Sequence, residues 1–287
     1  MLSPAVDTHA HVFLRDLPMD PRRRYTPGYD AGTDEYLAQL DRAGFGRALL
    51  VQPSFLGSDN SYLAAAIAEH PDRLRGVCVL EDPDPASLRE MHARGLRGLR
   101  LNLIGASLPE LGSGPWQRVG AAMAELGWHL ELQARGPQWA QLDEALRRWP
   151  APVVLDHLGL PHPGDDGTVA RLAALEHVWV KLSAPYRAGS ATAVEERLRD
   201  LGASTGLART VFGTDWPFTQ HEEGRSMSTL AQWAQRVLTP AEWELVRGNG
   251  RRFLDSCWDE VPGEPASSPD PGPGSPAPVA PAPGPGW

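Results

Sequence analysis

Short apolar runs alternate along this chain with longer stretches whose apolar residues recur every three to four positions. Two-residue alternation suits a strand, and the longer period suits an amphipathic helix. The first strand is predicted at Val6-Asp7-Thr8-His9-Ala10-His11-Val12, where alternation assigns Asp7, His9 and His11 to one face. A first helix follows at 34–43, with Tyr36, Leu37, Leu40 and Ala43 as its apolar stripe and Gly44 as its stop. Further strands are predicted at 48–52, 76–80, 99–103, 129–133, 152–155, 178–182 and 210–213. Helices are predicted between them at 60–70, 84–94, 116–126, 138–149, 168–175 and 191–204, and two or three closing helices at 222–237, 240–248 and 251–257.

The strands are mostly short apolar runs, as expected of strands buried on both faces. Eight strands, each followed by a helix, predict an α/β fold of the (β/α)8 TIM-barrel type, as one domain over residues 1–260. No glycine-rich phosphate loop follows any strand, which weighs against a dinucleotide fold. From Val261 the composition changes. Ten of the chain's 28 prolines fall between Pro262 and Trp287, so 261–287 is predicted to be a disordered tail.

Composition narrows the function classes. A formal charge of −9 argues against a nucleic-acid surface. Cys78 and Cys257 are too few for a disulfide framework and lack metal-type spacing. No apolar run is long enough to span a membrane, and a soluble cytoplasmic protein is the expectation. A homo-oligomer is left open.

In a barrel the chemistry gathers at the carboxyl ends of the strands. Strand one delivers His9 and His11 there, strand two Gln52 and Ser54, and strand three Glu81. Strand four delivers Arg100 and Asn102, inward by alternation, while Arg94 and Arg97 read as solvated charge. Strand five offers Glu131 and Gln133; strand seven offers Lys181 and Ser183, with Tyr186 and Arg187 just beyond. His157 follows strand six and Asp215 follows strand eight. His9, His11, His157 and Asp215 are the candidate catalytic set. They suit two chemistries: binding one divalent metal whose water Asp215 deprotonates, or polarising a carbonyl directly while Asp215 acts as general base.

The runs Asp7-Thr8-His9-Ala10-His11, Asp156-His157-Leu158-Gly159 and Gly213-Thr214-Asp215-Trp216-Pro217 resemble the amidohydrolase superfamily, over almost the whole chain short of the tail. Arg24-Tyr25-Thr26-Pro27, Val51-Gln52-Pro53-Ser54, Gly98-Leu99-Arg100-Leu101-Asn102 and Pro185-Tyr186-Arg187 extend the likeness to the branch of sugar-acid and pyrone-dicarboxylate lactonases. The resemblance implies a hydrolase that opens a lactone of a small acidic substrate. It implies that Asp215 activates water, that His9, His11 and His157 polarise the carbonyl, and that Tyr25, Ser54, Arg100 and Arg187 hold substrate oxygens.

The chain departs from that pattern in two places. Strand five offers no histidine at its carboxyl end and strand four no lysine, so a binuclear metal centre is not expected. Either no cofactor or a single divalent ion, zinc foremost, on His9, His11, His157 and Asp215 is the expectation. After Asn102, where the pyrone-dicarboxylate enzyme carries a further arginine, this chain reads Leu103-Ile104-Gly105-Ala106, and Gln133 stands in place of a tyrosine. One carboxylate clamp is therefore expected to be missing, and a lactone with one carboxylate, or a sugar lactone, is favoured. The alternatives are a zinc-dependent hydrolase or decarboxylase of small aromatic acids, a lactone isomerase, and a non-catalytic barrel that binds a small acid.

Overall fold

The computed structural model describes residues 5–162 and 166–258, and the predicted tail lies outside them. Eight parallel strands run in sequence order: β1 (Ala5–Ala10), β2 (Phe45–Val51), β3 (Leu74–Cys78), β4 (Leu96–Asn102), β5 (His129–Gln133), β6 (Val153–Leu155), β7 (Val178–Leu182) and β8 (Thr210–Phe212). The Asp215 amide donates to His9 O at 2.7 Å and the His11 amide to Trp216 O at 2.8 Å, which joins the end of β8 to β1. A sheet joined in this way has no exposed edge, and its strand ends face one another across a small mouth.

Helices α1 (Thr33–Arg42), α2 (Ser61–Glu69), α3 (Pro85–Ala93), α4 (Gly114–Glu125), α5 (Pro137–Arg147), α6 (Thr168–Ala173) and α7 (Ala191–Thr205) each follow a strand. Their buried faces meet outward-facing strand residues such as Leu50, Leu99, Leu130 and Leu155 in one apolar layer. Local chemistry sets some boundaries. Asp84 caps α3 by accepting from the Ser87 amide at 2.7 Å, and Pro85 fills its first turn, where no amide hydrogen is needed.

The chain closes with α8 (Met227–Val237) and α9 (Pro240–Trp258). The break predicted near Gly248 is absent, and α9 is continuous. A Cβ on Gly250 would lie 3.2 Å from Val6 O, so this residue lets α9 pack closely against β1. Leu254 joins Val6, Leu49, Val51 and Val77 in a second buried apolar cluster. No helix among the described residues is long and apolar enough to cross a membrane.

Candidate active site

The carboxyl end of β1 departs from simple alternation. Its pairing with β2 shifts register between Asp7 and Ala10, so Asp7 and His9 do not share a surroundings. The Asp7 carboxylate accepts from the Tyr36 hydroxyl on α1 at 3.0 Å and from the Thr214 amide and hydroxyl at 2.8 and 2.7 Å. Asp7 thus ties β1 to α1 and β8, whereas His9 turns to the barrel interior. Gly213 makes that turn compatible with β8: a Cβ there would lie 2.6 Å from the His9 Cβ, closer than two carbons approach. Only glycine allows the strands to draw together until Asp215 reaches His9.

Asp215 Oδ1 lies 3.5 Å from His9 Nε2, 3.5 Å from His11 Nε2 and 4.0 Å from His157 Nε2. Its other oxygen, Oδ2, accepts from the Tyr186 hydroxyl at 2.7 Å and from Arg187 Nε at 2.9 Å. Both His157 and Asp215 hold left-handed backbone, at φ 52° and 58°, a conformation uncommon for residues with a Cβ. Burial alone would raise the pKa of Asp215, but the Arg187 guanidinium holds its carboxyl well below the usual carboxylate range. Burial pushes His157 down to about 3 and lowers His11. At neutral pH the centre is therefore an ionised carboxylate facing imidazoles, of which His11 and His157 are neutral.

Beneath this centre lies a fully buried charged cluster. Register pairs Arg100 with Glu131 across β4 and β5. Arg100 Nε donates to Asp156 Oδ2 at 3.1 Å, and its other arm donates to Gln133 Oε1 at 2.7 Å. Lys181 on β7 pairs with Glu131 and reaches His9 Nδ1 at 2.9 Å. Asp156 Oδ1 and Glu131 Oε1 lie 3.3 and 3.4 Å from the same nitrogen but make no hydrogen bond. Burial and Lys181 both disfavour a charged His9; Asp156 and Glu131 favour it and prevail, so its pKa is raised. Sequence reasoning placed Glu131 and Lys181 at strand ends without a role. The available signal was charge at the inward positions of otherwise apolar strands.

Above the centre opens a cavity of about 400 Å³. His11, His157 and Asp215 line its depth with Arg100, Asn102 and Gln133. Tyr25, Ser54 and Arg187 line its walls, and His9 lies buried below. The other strand-end residues go elsewhere. Gln52 donates to the carbonyls of Gly57 and Asp59, and Glu81 is exposed and paired with Arg22. Arg97, expected in solvent, is buried and donates to the carbonyls of His92 and Leu96. Arg187 does not stand as a free fork, since its Nε is engaged by Asp215.

The cavity also holds residues to which strand-end reasoning gave no role: Arg24, Arg135, Tyr186 and His221. Arg24 comes from the loop after β1, and Arg135 from the turn after β5. With Arg100 and Arg187 they put four guanidinium groups on one small cavity, so the short side chains at Gly105 and Ala106 do not leave it poor in positive charge. The loops after β1 and β8 are joined across the mouth, where Tyr25 and Tyr29 both donate to Glu222 Oε1, at 3.1 and 2.7 Å.

The donor set suits a single divalent cation, because imidazole nitrogens with a carboxylate oxygen are a combination that zinc takes. His9, His157 and Asp215 each offer a ligand atom within 4.8 Å of the others. His9 Nε2 and Asp215 Oδ1 are moreover buried with no hydrogen-bond partner.

Comparison with known proteins agrees with this architecture. A structure of a probable 2-pyrone-4,6-dicarboxylic acid hydrolase from Acinetobacter baumannii, solved with citric acid bound, superimposes with a TM-score of 0.82. It is 30% identical over 88% of this chain and 99% of that one. The 2-pyrone-4,6-dicarboxylate hydrolase of Comamonas testosteroni is 29% identical over 74% of this chain and 76% of its own length. The 4-sulfomuconolactone hydrolase of Hydrogenophaga intermedia is 29% identical over 86% of this chain and 85% of its own. The amidohydrolase family profile matches residues 6–255, and the chain belongs to that family.

Proposed function

We propose that this chain is a lactone hydrolase acting on small cyclic esters that carry two acidic groups. The observation that carries the reading is the unpartnered Asp215 Oδ1 facing three imidazoles below an arginine-lined cavity. Relatives named for a pyrone dicarboxylate and a sulfomuconolactone support both the cyclic ester and its charge.

Water held by Asp215 attacks the ring carbonyl carbon, and its proton passes to Oδ1. The negative charge that develops on the carbonyl oxygen is met by an imidazole N–H placed beforehand at the floor of the cavity. The ring C–O bond then breaks, and Asp215 returns its proton to the departing oxygen, leaving an open-chain hydroxy acid. A carboxyl held at low pKa gives up that proton readily. Tyr186 and Arg187 fix Oδ2, so Oδ1 alone is left for the water. Arg24, Arg100 and Arg135 bind the acid groups, with Tyr25, Ser54, Asn102 and Gln133 on the ring oxygens. A divalent ion, when bound, would be held by Asp215 and the imidazoles that face it and would supply Lewis-acid polarisation of the carbonyl.

The test is a panel of lactones followed by acid release, with and without chelator. Lactones with two acid groups should be opened with the highest kcat/KM. Folded protein that opens none of them would remove the reading. A sugar lactone preferred by a wide margin would overturn the part that concerns charge.

A further inference from the structure

The two histidines of the His-x-His pair meet opposite partners on their far sides. His11 Nδ1 lies 2.7 Å from the carbonyl of Val51, which can only accept, so Nδ1 carries the hydrogen. His11 therefore turns a lone pair on Nε2 toward Asp215. His9 Nδ1 faces the Lys181 ammonium at 2.9 Å, which can only donate. The carboxylates of Asp156 and Glu131 come no closer than 3.3 Å and stand outside hydrogen-bond geometry. A neutral His9 ring therefore carries its hydrogen on Nε2, which points at Asp215 Oδ1.

We infer that Lys181 is a positioning residue that fixes His9 as an Nε2–H donor facing Asp215, so that within this pair His9 presents a hydrogen to the reacting centre while His11 presents a lone pair. The inference rests on the lactonase reading for what the donor meets, but the tautomer itself does not. Glu131 takes part by pairing with Lys181 from the opposite side and holding the ammonium against the ring. All three side chains are fully buried, so water does not compete for Nδ1. The second layer thus divides the labour between two otherwise equivalent imidazoles.

A consequence concerns the metal. A cation on His9 Nε2 needs the lone pair that the hydrogen occupies. With Lys181 in place, His9 is a poor ligand, and a cation in this site would rely on His11, His157 and Asp215. Loss of the ammonium frees His9 to move its hydrogen to Nδ1, toward the carboxylates, and to ligate through Nε2.

Long-range ¹H–¹⁵N correlation on the full-length, chelator-treated protein at pH 8 reads the tautomer directly, with the His9→Gln spectrum assigning the signals. A hydrogen on Nε2 and a bare Nδ1 are expected; a proton on Nδ1 overturns the inference. Calorimetric titration with zinc provides the second readout. Lys181→Met should bind zinc at least ~10-fold more tightly than the native chain, and Lys181→Arg, which keeps the donor, should stay near the native value. Equal zinc affinity in folded Lys181→Met and the native chain also overturns it. If Lys181→Met does not fold, the native spectrum still decides. An Nε2–H signal in a protein that opens no lactone would sink the lactonase reading and leave this one standing. Turnover with a proton on Nδ1 would do the reverse.

Discussion

Asp215 stands between two kinds of neighbour, and each oxygen has a separate task. Because Oδ2 is saturated by Tyr186 and Arg187, Asp215→Asn disturbs the base more than the fold. It should lower kcat by at least ~100-fold with little change in KM, measured as initial rates on the best lactone. His157 allows a second test, through stability. Its folded pKa of about 3 lies below the unfolded value near 6.5, so between those limits the unfolded chain binds the extra proton. The contribution of neutral His157 is complete above about pH 6.5 and is lost as pH falls toward 3. The depressed carboxyl of Asp215 works in the same direction at lower pH, its contribution present above the ordinary carboxylate range and lost as pH falls through its folded value. The melting temperature should fall on acidification from pH 6.5 to 4.5, and it should fall less steeply in His157→Gln. Equal slopes would show that the imidazole is not what resists the proton.

Between elements, two contacts hold the site together, and each has its own signature. Gly213 sets the spacing of β8 against β1. Gly213→Ala forces a methyl into His9 and should cost about 1–3 kcal/mol by denaturant unfolding, with kcat reduced as Asp215 is displaced. Glu222 instead joins the loops after β1 and β8 by accepting from Tyr25 and Tyr29. That contact lies at the mouth, away from the reacting atoms. Glu222→Ala should therefore raise KM roughly 3–10-fold and leave kcat within a factor of about three, a pattern that reports lost ground-state binding. A fall in kcat alone would place Glu222 in the chemistry instead.

The molecule as a whole is acidic, with a net charge of −9, yet its cavity is lined by four arginines. A positive cleft in a negative surface concentrates field lines and favours small anions over the bulk repulsion. For a lactone with two acid groups, kcat/KM should fall as salt rises, more steeply than for a monoanionic analogue. Arg135→Met should raise KM for the dianionic lactone alone, by roughly 10-fold, because a bidentate carboxylate contact is lost. Equal effects on both substrates would take Arg135 out of the charge-reading role.

Eight strands, their order and most helix boundaries were legible in the chain itself, because apolar periodicity is a local property that burial then enforces. So were His9, His11, His157 and Asp215, since each ends a strand and a barrel sends all strand ends to one face. Asp7 was misplaced because a register shift, invisible in the residues, broke the alternation in β1. The closing helix was cut at its glycines because the sequence does not show that Gly250 faces a strand. Arg24 and Arg135 could not be found by counting strand ends, since loops carry them in. The charged layer below the site needed the tertiary structure most. Glu131 and Lys181 come from β5 and β7 and Asp156 from just past β6, and only closure of the barrel brings them within reach of one ring nitrogen of His9. Residue type sets what each group can donate or accept; which partner it meets, and so where a hydrogen rests, is decided by contacts between positions far apart in the chain.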